Sequence, residues 1–177
     1  MNDFIELAKC RQTCREFAAR AVEHEKLVAC VEAARLAPSG CNAQPWSFVV
    51  VESSAMVAKV AECVAMDGMN SYAAQAKAFV VILEEHAKLM PYIAVMLDSQ
   101  YFAKGDLGAA AAYFCLEAES RGLGTCQFGI FNRPRLGELL GIPEHQPYAA
   151  LIGIGYPANP EVRDKQRKPL DQLVRFV

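Results

Sequence analysis

Two runs of continuous apolar, β-branched character, Trp46-Ser-Phe-Val-Val-Val51 and Phe79-Val-Val-Ile-Leu83, constrain the fold more than any other feature of the chain. A strand without a polar side leaves no face for water, so both runs read as buried strands of a central sheet. Thr125 to Ile130 and Tyr148 to Ile154 read as two further strands. Glu23 to Leu36 sets Leu27, Val28, Val31 and Ala34 at helical spacing until Pro38 ends the pattern. Asp106 to Ser120 places Leu107, Ala110, Ala111, Phe114, Cys115 and Ala118 on one face, with alanines small enough for another helix to come close, and reads as a central core helix. Gly122-Leu-Gly124 stops it, and Pro134 to Leu140 reads as a short helix. The expected class is α+β.

Composition narrows the function. With 177 residues, 53% of them apolar, the chain can bury one core of ordinary size, and a single domain over residues 1–177 is expected, without repeat, low-complexity tract or linker. A net charge of −2 lacks the basic excess that nucleic-acid binding favours. The N-terminus does not read as a secretory signal, and the longest apolar helical stretch, Leu107 to Leu116, is shorter than the roughly 20 residues a membrane span needs. A soluble, cytoplasmic protein is expected, with neither nucleic-acid nor membrane partners. The seven cysteines contain no C-x-x-C pair and read as free thiols. His24, His86 and His145 lack the spacing of a metal site, so no metal centre is expected. The stretch from Pro157 to Val177, richer in charge and proline, reads as a reaching C-terminal arm.

Three segments could carry chemistry. Arg11-Gln-Thr-Cys-Arg15 offers two guanidinium groups and a hydroxyl, which suit a phosphate dianion, although alone it reads better as a solvated basic face. Ala37-Pro-Ser-Gly-Cys-Asn-Ala-Gln-Pro-Trp46 is a stiff, irregular loop that presents Ser39 and Asn42 before a buried strand, with Trp46 as a core anchor. Arg121-Gly-Leu-Gly-Thr-Cys-Gln-Phe-Gly129 has Gln127 where a dinucleotide fingerprint needs its last glycine, and it follows a helix. Its glycines read as a helix stop that brings backbone amides close to a flat ligand.

The ordered series R-x-T-x-R, A-P-S-x-x-N-x-Q-P-W, G-L-G-T-C, Leu140-Gly-Ile-Pro143, Gly153-Ile-Gly-Tyr-Pro157 and Arg167-Lys-Pro169, with Asp106 between, resembles the nitroreductase family over nearly the whole chain. The resemblance implies a mostly antiparallel sheet flanked by helices, in an intertwined homodimer with FMN at the interface. It implies cofactor contacts from Arg11, Gln12, Thr13 and Arg15. Arg11, Thr13, Arg167 and Lys168 would hold the phosphate, and Arg15 would sit nearer the ring. Backbone amides near Cys126 and Gln127 would face the flavin N5 edge, Asn70 would give the ring a polar contact, and Pro38, Ser39, Gly40 and Asn42 would come from the partner subunit.

The implied activity passes electrons from NADH or NADPH through FMN to a nitroaromatic, quinone or similar small acceptor by a ping-pong route. Because no histidine or carboxylate pair falls in the motif segments, flavin N5 carries the chemistry and no side chain is assigned a catalytic role. Gln12 stands where a second arginine is common, no lysine follows Asn70 closely, and Glu84 to Gly105 is short, which implies an open pocket. The alternatives are a specialised enzyme of the same fold (dehalogenating, flavin-fragmenting or azoline-oxidising), a non-catalytic flavin-binding redox sensor, and, last, a thiol enzyme using Cys41 or Cys126.

Overall fold

A computed structural model describes residues 3–66, 68–98 and 100–177. Four strands, β1 (Trp46–Val51), β2 (Ala78–Glu84), β3 (Gly124–Phe128) and β4 (Tyr148–Gly155), form one antiparallel sheet in the order β1-β2-β4-β3. The central strand β2 is buried nearly throughout and sends alternate residues to opposite faces. Phe79, Val81 and Leu83 meet helix α3 (Ser54–Val64) and α6 (Arg133–Leu140), whereas Ala78, Val80 and Ile82 meet α2 (His24–Arg35) and α5 (Ala103–Ser120). This two-sided burial is what the continuous apolar run predicts for β2, whereas β1, read the same way, is an edge strand whose Ser47, Phe48 and Val49 are only partly buried and whose Val50 is exposed. The strand read as Thr125 to Ile130 stops at Phe128, where the chain bends at Gly129.

Helix α3 was not expected from the sequence, although Val57, Val60, Ala61 and Val64 carry a helical repeat and are all buried. Two other helices, α1 (Phe4–Cys10) and α4 (Pro91–Ala94), bury no residue within the chain. The described cysteines are all free. Among the described residues no helix is long and apolar enough to cross a membrane.

The feature that positions the site lies at the β3 edge. There the segment after α1 runs alongside β3, with a parallel bridge between Thr13 and Thr125 and a bond from the Cys14 amide to the Thr125 carbonyl at 2.9 Å. The approach is close: a Cβ on Gly124 would lie 2.6 Å from the Cys14 Cβ. Gly124 is therefore small for packing against Cys14, a reason the sequence reading of these glycines does not include. Gly122, at φ 75°, does end α5 as read, with the Leu123 amide bonded back to the Ala118 carbonyl. Past β4 the chain returns over the same segment through a Phe17–Pro157 bridge and a bond from the Ala158 amide to the Glu16 carbonyl.

Candidate functional site

Where the returning strap crosses residues 11–13, a cavity of about 350 Å³ collects Arg11, Arg163, Lys165 and Arg167 beside Gln12 and Thr13, with Asp164 the one acid among its lining residues. The Lys165 ammonium is buried and has no hydrogen-bond partner among the described residues. An unpaired buried charge is costly, and a site that gathers cations this way is chemically suited to an anion. A second cavity of about 360 Å³ shares Gln12, Thr13 and Arg163 and extends past Arg15, Glu119 and Gly122 to Gly124. Burial pushes the Glu119 carboxyl up, and Lys165 and Arg11 pull it back down.

Lys168, expected at the phosphate, lines neither cavity, and Lys165 lines the cation-rich one. The strap lines the cavity continuously from Arg163 to Arg167, so Lys165 falls within the lining and Lys168 lies one residue beyond it. Gln12 is also placed differently from a free cofactor ligand. Its Nε2 donates to the Glu161 carbonyl at 2.8 Å, and its Oε1 accepts from Arg163 Nε at 3.0 Å.

Further along the edge, Arg15 is exposed and its guanidinium carbon lies 5.9 Å from the centre of the Tyr72 ring. Tyr72 stacks on Phe128 and donates to Asn70 Oδ1 at 3.0 Å, while Asn70 Nδ2 donates to the Ile130 carbonyl at 3.4 Å. Arg15 and Asn70 thus share one neighbourhood through Tyr72, a residue sequence reasoning missed because a lone tyrosine in a short turn carries no periodic signal. The Thr125 carbonyl points away from β4 toward Cys14, so by strand alternation the Gln127 amide also points outward and the Cys126 amide points into β4. Of the two amides expected to face a ligand, Gln127 has the open direction.

The loop at 37–45 sits elsewhere. Cys41, Asn42 and Gln44 all hold left-handed backbone, at φ 53°, 54° and 47°, a conformation costly for cysteine and glutamine. It is kept by Ser39 Oγ accepting from the Gln44 amide at 3.0 Å and by the Gly40 amide donating to Asp106 Oδ2 at 3.0 Å. Asp106→Ala should cost about 1.5 kcal/mol in thermal or urea unfolding by leaving that amide unpaired, and Asp106→Asn, which keeps an acceptor, should recover most of it. Asp106 lies in the first turn of α5 and Glu119 in its last, about 20 Å apart along the axis. Pro38, Ser39, Gly40 and Asn42 therefore lie far from the Arg11 cavity of their own chain.

The sequence profile of the Nitroreductase family matches residues 8–156. The chain belongs to the nitroreductase family. A protein of Archaeoglobus fulgidus, named for NADH dehydrogenase/NAD(P)H nitroreductase activity, is 30% identical over 161 residues, covering 89% of this chain and 87% of that protein. Iodotyrosine deiodinase 1 of mouse is 27% identical over 196 residues, covering 98% of this chain and 69% of that protein. In fold, a nitroreductase family protein of Streptococcus pneumoniae superposes with a TM-score of 0.85 at 20% identity, over 99% of this chain and 100% of that one.

Within this oxidoreductase family the site segments have identifiable positions. The nitroreductase segment Arg11 to Arg15 forms the β3-edge ladder, and the strap closes over it. The thiols beside it are not activated. Burial pushes Cys126 up against the pull of the Tyr72 hydroxyl and Arg15, and burial likewise pushes up Cys14. Both stand as neutral thiols, which are poor nucleophiles. The short region from Glu84 to Gly105, of which Ser99 lies outside the described residues, holds only α4 as regular structure before α5 and leaves Tyr92, Val95, Met96 and Tyr101 exposed.

Proposed function

We propose that the chain is an FMN-dependent NAD(P)H oxidoreductase, working in a reducing cytoplasm as a homodimer and reducing a nitroaromatic, quinone or similar planar acceptor. The observation that carries this reading is the unpartnered Lys165 ammonium among Arg11, Arg163 and Arg167 beside Thr13. A phosphate monoester dianion supplies the missing acceptors, and guanidinium forks with a hydroxyl suit its geometry. When bound, FMN supplies the two-electron chemistry between the nicotinamide and the acceptor.

The chain's own residues position and polarise. Arg11, Thr13, Lys165 and Arg167 hold the phosphate, Arg15 offers a cation to the electron-rich edge of the ring, and the outward Gln127 amide donates to its rim. The loop with Pro38, Ser39, Gly40 and Asn42 is supplied by a second copy, since about 20 Å of α5 separates it from its own cradle. Support for that second copy comes from apolar surface no single chain covers: Leu170, Leu173 and Phe176 on the arm, Phe4 and Ile5 on α1, and the open Gly105 and Gly108 on α5.

The test is direct. The purified protein should be yellow with one FMN per protomer, bleach anaerobically on adding NADH or NADPH, and give parallel double-reciprocal lines when both substrates are varied. Cys41→Ser and Cys126→Ser should retain most activity. A colourless protein that cannot be reconstituted, or intersecting lines, would sink the reading. Similarity to the mouse deiodinase supports a second reading, reductive removal of halide from a halophenol. Halide release from a halotyrosine by the dithionite-reduced protein would select it.

A further inference from the structure

Gln12 is a neutral residue in a cluster of cations, and its side chain is fully engaged by the strap. Its Nε2 donates to the Glu161 carbonyl at 2.8 Å, and its Oε1 accepts from the Arg163 amide at 3.2 Å and from Arg163 Nε at 3.0 Å. Arg163 closes the loop by donating from Nη2 to the Thr13 carbonyl at 2.7 Å. Beyond Arg163, no hydrogen bond among the described residues ties residues 164–168 to the body of the protein, and the Arg167 guanidinium donates only to its neighbour Gln166. The last anchor before Lys165 and Arg167 is therefore this exchange between residues 12–13 and 161–163.

We infer that Gln12 and Arg163 form a clamp that sets the strap's cations over Thr13 and Arg11, and that the clamp gives the site its preference for a phosphorylated flavin over the unphosphorylated one. The inference rests on the flavin reading above. A second arginine at position 12 would add a charge but would have no acceptor for Arg163. Glutamine supplies a donor and an acceptor together, and both are used. Gln12 is thus a positioning residue, which acts on the phosphate through Lys165 and Arg167.

Titration of the full chain, stripped of flavin, with FMN and with riboflavin tests this. Gln12→Ala should weaken FMN by about tenfold, the equivalent of one or two hydrogen bonds, and leave riboflavin unchanged. Gln12→Asn, one methylene short of spanning both partners, should show the same FMN-only loss while keeping the wild-type melting profile. Arg163→Ala should also act on FMN alone, and adding Gln12→Ala to it should weaken FMN by less than about twofold more, because the pair works as one unit. Equal losses for both flavins, losses that multiply in the double variant, or unchanged FMN affinity would overturn the clamp while leaving wild-type FMN binding intact. A wild-type chain that binds neither flavin would overturn the flavin reading and the clamp with it.

Discussion

Gly124→Ala is expected to destabilise the protein by about 1–3 kcal/mol and to weaken its hold on flavin at the same time. The added Cβ would fall 2.6 Å from the Cys14 Cβ and 2.8 Å from its Sγ. A Cβ cannot move without its backbone, so relief requires displacing the ladder that carries Thr13 and Arg15. Replacing glycine restricts the unfolded chain and returns roughly 0.4–1 kcal/mol, less than the overpacking removes. Cys14→Gly in the same chain clears the obstruction and should restore melting temperature and FMN affinity. Cys14→Ala keeps the Cβ and should not. Urea unfolding of the four proteins, with an FMN titration of each, decides it, and a Gly124→Ala variant indistinguishable from wild type would dismiss the argument.

Lys165→Met should lower FMN affinity by about 1.5–3 kcal/mol, or roughly 10- to 150-fold, because it removes a charge-assisted contact to the phosphate. Methionine keeps the length and apolar stem of lysine, so packing is largely spared. The same variant should melt no lower than wild type when flavin is absent, and slightly higher, since a buried ammonium without an acceptor is removed. The combination is diagnostic: a residue that merely supports the fold would lose stability with and without flavin. Thermal melts of both forms with and without excess FMN measure it, and a drop in the flavin-free melt would remove Lys165 from the proposed cradle.

Much of the sheet was legible because β2 must satisfy water exclusion on two faces, which leaves a continuous apolar run in the sequence. The core face of α5 was legible for a similar reason, a repeat of buried Leu107, Ala110, Ala111, Phe114 and Ala118. The ladder from Thr13 to Thr125 was not, because a single bridge between distant segments leaves no local pattern. The strap shows both cases. Its basic character is plain and the Arg167-Lys-Pro169 motif points to Arg167 and Lys168, but the cavity is lined by residues 163–167, and which strap charges meet Arg11 depends on where the chain crosses that segment, a tertiary fact without a local pattern. Asp106 was noticed as part of an ordered series, and only the fold gives its reason, a bond to the Gly40 amide that holds a left-handed loop.

In the proposed homodimer the loop at one end of α5 and the cradle at the other would divide one site between two chains, so damage would not stay with the subunit that carries it. In a dimer of this design, a chain with a broken loop spoils the site built on its partner's cradle, and a chain with a broken cradle spoils its own. Pairing the two kinds of defect places both lesions in one of the two sites and leaves the other whole. Two chains broken at the same end leave none whole. Lesions in this chain would therefore sort into two complementation groups, divided by the length of a single helix.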